Sequence, residues 1–258
     1  MPTAQAISPQ SLCDFCDTLL FADEFRDYCP NGLQIDAGVP INKIITGVTA
    51  CQALIDRAIQ EKAQAIVVHH GYFWKGEDAA ITGMKAKRIK ALLEHGISLI
   101  AYHLPLDAHP EIGNNRALAD MLDLTITGAL YPHEKHPVGN ITTSKPISSV
   151  QLAEKITQAL ARKPLHICAG SPDRTLQKIA LCTGGAQDMI EQAAKMGCDA
   201  FISGEISERT THMARELGVD YFAAGHHATE RGGIMRLTTV LAEQFDIGVQ
   251  FVDIDNPA

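Results

Sequence analysis

The sequence predicts an α/β protein built from two similar lobes. Three observations support this fold class: short apolar segments alternate with amphipathic ones, part of the second half repeats part of the first, and histidines follow several apolar segments. Strands that alternate with helices are typical of βαβ units and of mostly parallel sheets. We therefore expect two βαβ-containing lobes related by internal duplication.

The first half reads as an opening helix followed by strand–helix steps. Ser8 and Pro9 are suited to the N-cap and first turn of a helix over 8–22, and Asn31-Gly32 is a turn signal. The periodicity predicts strands over 43–48, 65–68 and 97–102, and helices over 52–61, 83–95 and 114–122.

Residues 129–147 interrupt this alternation because they are rich in Pro, Ser, Thr and His. This composition predicts a connection between lobes at 1–128 and 148–258, with a C-terminal segment able to return to the first lobe. After a helix over 148–161, the pattern predicts strands over 178–182, 200–203, 221–224 and 249–254, and helices over 187–195, 210–216 and 229–244.

An internal repeat supports the duplication. When Ile44–Gly71 is displaced by 135 positions, it aligns without a gap on Ile179–Ile206. His70 then falls on Glu205, and each copy continues to another strand that is followed by a histidine. Parallel α/β sheets bind ligands beyond the carboxyl ends of their strands, so the residues after these strands are the candidate site.

Five residues at predicted strand ends form the candidate metal-ligand set: His69, His70, Asp107, His226 and Glu230. Imidazole and carboxylate ligands suit zinc, iron, manganese or nickel. Adjacent residues of an extended chain point to opposite sides, so His69 and His70 suit two ions better than one. We expect two divalent ions about 3.5–4 Å apart, bridged by Asp107, Glu230 or both, and able to activate water near neutral pH.

Three further residues are candidate catalytic groups. Glu205 is suited to act as a general base that is not a ligand, and the alternative is a carboxylate that caps the next helix. His103 and His212 are candidates to carry protons or to orient metal ligands. For both histidines, an ordinary surface or core role is the alternative.

Possible substrate contacts lie close to these residues in sequence. The aromatic run 72–74 directly follows the histidine pair, and it predicts either stacking on a flat ring or core packing. Arg209 and Arg231 are candidates to bind phosphate. The chain has neither a P-loop nor a G-x-G-x-x-G motif, so the common nucleotide-binding loops are absent from the sequence.

Composition narrows the class of protein. The 258 residues are 46% hydrophobic and 20% charged, which is ordinary for a globular chain, and the net charge of −8 gives no sign of nucleic-acid binding. No apolar run of about 18 residues predicts a membrane span. Seven scattered cysteines without a signal peptide predict the reducing cytoplasm. Cys13 and Cys16 are interpreted as ordinary helix residues.

The chain resembles the Nif-three-like family, whose members are also called type-two GTP cyclohydrolase homologues. The resemblance covers nearly the whole chain, and the chain is similar to the short bacterial form that lacks an inserted domain. The resemblance rests on five motifs: PNGLQ at 30–34, HHG at 69–71, HLPLD at 103–107, SGE at 203–205 and GHHATE at 225–230.

The resemblance implies two similar α/β lobes with a dinuclear metal site between them, formed by the same five ligands. It also implies a homohexameric ring whose sites face an inner cavity. The implied activity opens the guanine imidazole ring of GTP and yields formate and dihydroneopterin triphosphate. Two other interpretations stay open: a two-metal phosphoesterase, and a non-catalytic metal-binding or scaffold protein.

Overall fold

A computed structural model describes residues 6–258 as a mixed α/β fold with two sheets. The chain divides into two compact units. Unit 1 comprises the residues up to Leu106 together with Ile234–Asp255, and unit 2 comprises Asp107–Gly233 and Asn256–Ala258. These bounds differ from the predicted lobes because packing joins segments that are distant in sequence, whereas the prediction followed local composition. Among residues 6–258, no helix combines the length and apolarity that a membrane crossing requires.

Unit 1 contains a five-stranded sheet that is mostly parallel, as predicted. Its strands are β1 (Gly32–Ile35), β2 (Lys43–Thr49), β3 (Ala65–His70), β4 (Ser98–Ala101) and β11 (Gly248–Phe251). The spatial order is β1-β4-β3-β2-β11, and only the β1–β4 pairing is antiparallel among these strands. The helical segments are α1 (Pro9–Leu20), a 3-10 turn (Ala22–Glu24), α2 (Gln52–Gln60), α3 (Gly83–Glu94) and the start of α4 (Leu104–Ala108).

Local sequence explains the main elements of unit 1. The Ser8 hydroxyl accepts a hydrogen bond from the Ser11 backbone N–H at 3.0 Å, which caps α1 as predicted. The central strand β3 is buried along nearly its whole length, as expected for a strand covered on both faces. Its branched apolar side chains therefore fix the centre of the unit 1 core.

Unit 2 contains a six-stranded sheet. Its strands are β5 (Thr125–Ala129), β6 (Asn140–Ser148), β7 (Leu165–Ile167), β8 (Thr175–Cys182), β9 (Ala200–Ser203) and β10 (Asp220–Ala223), in the order β5-β6-β8-β9-β10-β7. The helical segments are α5 (Asn114–Met121), α6 (Ser149–Leu160), a 3-10 turn (Gln187–Met189), α7 (Ile190–Lys195), α8 (Glu208–Leu217) and α9 (His226–Gln244). Residues of α9 from Ile234 onward are counted in unit 1.

The expectation of a mostly parallel sheet is wrong for unit 2. Among its described strands, only β8, β9 and β10 run parallel, and the other three pairings are antiparallel. The range 129–147, predicted as a connection, contains most of β6. Its polar sequence lacks apolar alternation because much of β6 is exposed. Pro146 lies where the β6–β8 register shifts, which suits a residue without a backbone N–H.

A buried polar network connects three elements of unit 2. Asp220 is fully buried at the start of β10. Its Oδ2 lies 2.6 Å from the Ser149 hydroxyl and 2.8 Å from His166 Nε2, and its Oδ1 accepts from the Ala169 backbone N–H at 3.2 Å. Burial raises the pKa of Asp220, but these partners outweigh burial and hold the pKa below its ordinary value.

We expect the stabilising contribution of Asp220 to be lost at acid pH. A carboxyl group whose pKa is depressed in the folded state stabilises the fold above its unfolded pKa of about 3.9, and this contribution disappears as pH falls through the folded value. D220N should lower the free energy of unfolding by about 2 kcal/mol near neutral pH. In denaturant titrations the gap between D220N and wild type should shrink below about pH 4.

The matched control is D123N, because the Asp123 side chain is 96% exposed. This variant should unfold like the wild type at each pH. If the free energy of unfolding of D220N stays below that of the wild type by the same amount down to acid pH, the ionised Asp220 carboxylate is not the source of the stabilisation.

Candidate metal centre

The candidate residues lie at the carboxyl ends of parallel strands within each unit. In unit 1, His69 and His70 are the last residues of β3, and His103 follows β4. In unit 2, Glu205 follows β9, and His226 starts α9 just after β10. Side chains at one such edge are brought close together by the sheet itself.

Three imidazoles form one group in unit 1. The ring centroids of His69 and His70 are 4.4 Å apart, and the His103 centroid lies 5.2 Å and 5.7 Å from them. One nitrogen of each ring lies within 4.8 Å of the other two. The expectation that His69 and His70 point to opposite sides is therefore wrong. Both residues belong to β3, so alternation along the strand does not by itself fix how the two rings turn at its carboxyl end.

Each of these rings has a partner at Nδ1. His69 Nδ1 lies 2.9 Å from the Tyr102 carbonyl oxygen, and His70 Nδ1 lies 3.2 Å from the Thr49 hydroxyl. His103 Nδ1 lies 2.7 Å from Asp27 Oδ1. A carbonyl or carboxylate partner requires a proton on Nδ1, which leaves the Nε2 lone pair of a neutral ring to bind a cation.

Two buried carboxylates and one imidazole form the group in unit 2. Asp107 and Glu230 are 6% and 2% exposed, and their carboxylate oxygens approach within 4.8 Å. His226 Nε2 lies 3.2 Å from Glu230 Oε1. Helix α9 starts at His226 rather than near 229, so these two residues are one helical turn apart on the same helix.

Polar side chains that the sequence did not single out surround Asp107. Its Oδ1 accepts from Asn114 Nδ2 at 2.9 Å and from the Thr183 hydroxyl at 3.3 Å. Asn115 Nδ2 donates to the Asp107 backbone oxygen at 3.2 Å, and Asn115 Oδ1 accepts from the Thr183 N–H at 2.9 Å. These contacts fix the carboxylate, and the adjacent asparagines at the start of α5 were the only local signal for them.

The charges of unit 2 shift nearby pKa values. Burial lowers the pKa of His226, but the carboxylates of Glu230 and Glu205 outweigh burial and raise it to about 9. The pKa of the Cys182 thiol is raised by burial and by the charges of Asp107 and Glu230. The buried carboxylates thus favour positive charge at this edge of the sheet.

The predicted catalytic residues are in different surroundings. Glu205 Oε1 lies 2.6 Å from His226 Nδ1, so Glu205 orients that ring. The N-cap of α8 is Ser207 rather than Glu205. His103 lies in the histidine group of unit 1. The His212 ring is largely exposed on α8 and lies 3.1 Å from Glu208 of the same helix.

The two arginines proposed for phosphate binding contact other groups. The Arg209 guanidinium lies 2.6 Å and 2.7 Å from the two oxygens of Asp188. Arg231 Nη2 donates to the Leu160 carbonyl oxygen at 2.9 Å. Each of these contacts uses the Nη2 atom of its arginine.

The aromatic run after the histidine pair has two roles. Tyr72 is a core residue whose hydroxyl donates to the Ala50 carbonyl oxygen at 2.9 Å. The Trp74 ring lies edge-to-face against His103 at 4.9 Å and 5.8 Å from His70. Trp74 therefore supplies an aromatic surface beside the unit 1 imidazoles.

Both sequence and fold match known proteins. The family Duf34/NIF3 (NGG1p interacting factor 3) matches residues 8–257. The chain belongs to this family. This confirms the resemblance stated from the sequence motifs.

Several relatives match most of the length of this Duf34/NIF3 protein. It is 54% identical over 244 residues to a Haemophilus influenzae protein called GTP cyclohydrolase 1 type 2 homolog, covering 93% of this chain and 95% of that one. A Vibrio cholerae protein of the same name is 52% identical over 232 residues, covering 90% and 92%. The solved structure of protein ybgI, described as of unknown function, has a TM-score of 0.93 at 47% identity and covers 98% and 100%.

Gly184 makes room for the candidate ligands His226 and Glu230 of this Duf34/NIF3 protein. It follows β8 with a φ of +68°, a backbone conformation that favours glycine. A Cβ at this position would lie 2.2 Å from Glu230 Oε1 and 3.1 Å from His226 Nε2. Any larger residue must therefore displace the Glu230 carboxylate.

We expect G184A to weaken metal binding through this displacement. The matched control is G197A, because Gly197 has a φ of +70° and a Cβ added there would meet no atom within 4 Å. Both variants should lose about 1–2 kcal/mol of stability from left-handed backbone strain, but only G184A should lower Zn²⁺ affinity, by about tenfold or more. Competition with a chromophoric chelator measures this, and equal affinities in the two variants would refute the role of Gly184.

Proposed function

We propose that this protein binds two divalent metal ions through His69, His70, Asp107, His226 and Glu230. We further propose that it is a metal-dependent hydrolase acting on a nucleotide, with GTP as substrate. The observation that carries the proposal is the buried pair of carboxylates, Asp107 and Glu230, beside His226. The shared name of its relatives, GTP cyclohydrolase 1 type 2 homolog, supports the choice of substrate.

The donor set fits divalent transition metals. Buried carboxylates that approach one another are costly unless positive charge compensates them, and divalent ions supply that charge. Imidazole nitrogens beside carboxylate oxygens suit zinc, iron, manganese or nickel. We propose that the histidines of unit 1 and the ligands of unit 2 serve the same two ions, as the internal repeat and the family resemblance imply.

The residues of the chain have distinct proposed roles. Divalent ions supply Lewis acidity when bound, which activates water near neutral pH. Asn114 and Thr183 fix Asp107, and Glu205 fixes His226 through Nδ1. The Glu205 side chain is 46% exposed, and we propose that its carboxylate acts as a general base.

The proposed reaction opens the imidazole ring of guanine. GTP and water are consumed, C8 of the guanine leaves as formate, and the remaining atoms form dihydroneopterin triphosphate. The Trp74 ring beside the unit 1 imidazoles offers a flat apolar surface for the guanine. The proposal makes no use of His212, whose exposed ring pairs with Glu208.

The proposal also includes an oligomeric state and a cellular location. The family resemblance supports a homohexameric ring built from lobes related by duplication, and mass measurement in solution tests the ring. Seven free cysteine thiols support the reducing cytoplasm as the location.

Product analysis tests the reaction. The full chain, loaded in turn with Zn²⁺, Fe²⁺, Mn²⁺ or Ni²⁺, should release formate from GTP with at least one of these ions. Release of phosphate without formate would replace the cyclohydrolase proposal with a two-metal phosphoesterase. If neither product forms with any ion, the hydrolase proposal fails, and the non-catalytic metal-binding interpretation takes its place.

Elemental analysis of purified variants tests the ligand set separately from activity. H70A and D107A should both contain sharply less metal than the wild type, because each loses a ligand, and D107A should lose more if Asp107 bridges the ions. The control is H95A, which removes an exposed histidine at the end of α3. Unchanged metal content in H70A and D107A would rule out these ligands.

A further inference from the structure

We infer that His103 is an additional metal-binding residue and that Asp27 is the positioning residue that prepares it. The inference rests on the proposed metal-binding function and adds a sixth side chain to its five ligands. It is carried by the hydrogen bonds that converge on Asp27 and by the place of the His103 ring among the unit 1 imidazoles.

Asp27 is saturated with hydrogen-bond donors. Its Oδ1 accepts from the Tyr28 backbone N–H at 2.6 Å and from His103 Nδ1 at 2.7 Å. Its Oδ2 accepts from Asn31 Nδ2 at 3.0 Å and from the Leu104 backbone N–H at 2.9 Å. A carboxylate offers about four lone-pair sites, and these four donors occupy them. Asp27 is therefore a fixed acceptor rather than a metal ligand itself.

This arrangement determines which nitrogen of His103 is available. Because Asp27 accepts the proton on Nδ1, the neutral ring has its lone pair on Nε2. The main chain is also fixed, since the His103 backbone N–H donates to Asn31 Oδ1 at 2.8 Å. The edge-to-face contact with Trp74 further restricts the ring.

The proposed ligands His69 and His226 are prepared in the same way. Their Nδ1 atoms face the Tyr102 carbonyl oxygen and the Glu205 carboxylate, respectively. Histidines that bind metals typically donate the other ring N–H to a carboxylate or carbonyl. His103 with Asp27 matches this pattern as closely as the residues already proposed as ligands.

The neighbours of His103 define the kind of ion. One nitrogen of His103 lies within 4.8 Å of a nitrogen of both His69 and His70. Three neutral imidazoles suit a borderline ion such as Zn²⁺ or Co²⁺ better than Mg²⁺. An alternative group of Asp27, Cys29 and His103 is less favourable, because the Asp27 oxygens are already occupied.

This assignment replaces the proton-carrying role predicted for His103 from sequence. A nitrogen whose lone pair binds a cation cannot accept a proton at the same time. Since the other nitrogen is committed to Asp27, the ring has no further site for proton transfer.

Co²⁺ binding to the full chain tests the inference, with visible absorption and chelator competition as readouts. H103A should weaken Co²⁺ binding by about 10–100-fold and shift the d–d absorption bands of bound Co²⁺. D27N should also weaken Co²⁺ binding, by a smaller factor, and should shift the same bands less. The controls are H95A and D14N, which alter an exposed histidine and an exposed carboxylate. Both controls should match the wild type.

The outcomes separate this inference from the proposed function. Normal affinity and spectrum in H103A, with binding lost in H70A, would overturn the role of His103 and leave the proposed function intact. Normal Co²⁺ binding in H70A and D107A as well would refute the metal-binding proposal itself. Thermal unfolding of each variant checks its fold, and if D27N does not fold, H103A decides the question.

Discussion

The repulsion between two buried carboxylates is the constraint around which the candidate centre is organised. Their oxygens lie within 4.8 Å of one another, and at that separation two unit charges repel by at least about 3 kcal/mol for an effective dielectric constant of about 20. The side chains around Asp107 and Glu230 oppose this repulsion: Asn114 and Thr183 donate to Asp107, and His226 contacts Glu230. Neutral donors and one imidazole compensate part of the charge, and the proposed divalent cations would compensate the rest.

The fold supplies these side chains by the same device in each unit. A β-α-β-α-β run places three parallel strands side by side, as β2, β3 and β4 in unit 1 and as β8, β9 and β10 in unit 2. The carboxyl ends of adjacent parallel strands meet at one edge, so residues from distant parts of the sequence come together there. Glycine after a strand keeps this edge open, as Gly184 does for Glu230.

The elements that sequence predicted well are those whose burial dictates their composition. The strand over 200–203 was predicted at its observed bounds, because it is an apolar run buried throughout. The edge strands β5 and β7 and the adjacent strand β6 were not predicted, since their mostly exposed or half-exposed side chains carry no apolar alternation. The sheet edges of unit 2 thus depend on tertiary pairing rather than on a local signal.

Candidate ligands were accessible to sequence reasoning, whereas the residues that orient them were not. Ligand types recur at strand ends, and that is a local pattern. Asp27 contacts a histidine 76 positions away, and Asn115 contacts Thr183 across 68 positions. The sequence also did not show that the rings of His69 and His70 lie side by side, and apolar content alone ended β3 two residues too early.

The orienting residues also affect the charge of the proposed centre. Asp27 and Glu205 each place a carboxylate behind an imidazole, which makes that ring a stronger electron donor. In the proposed centre a bound cation would hold His226 as a neutral ligand, and Asp27, Glu205, Asp107 and Glu230 would together carry a formal charge of −4. The proposed pair of divalent ions would contribute +4. This charge balance supports the proposed pair of ions, and it does not depend on the alternation of side chains along β3.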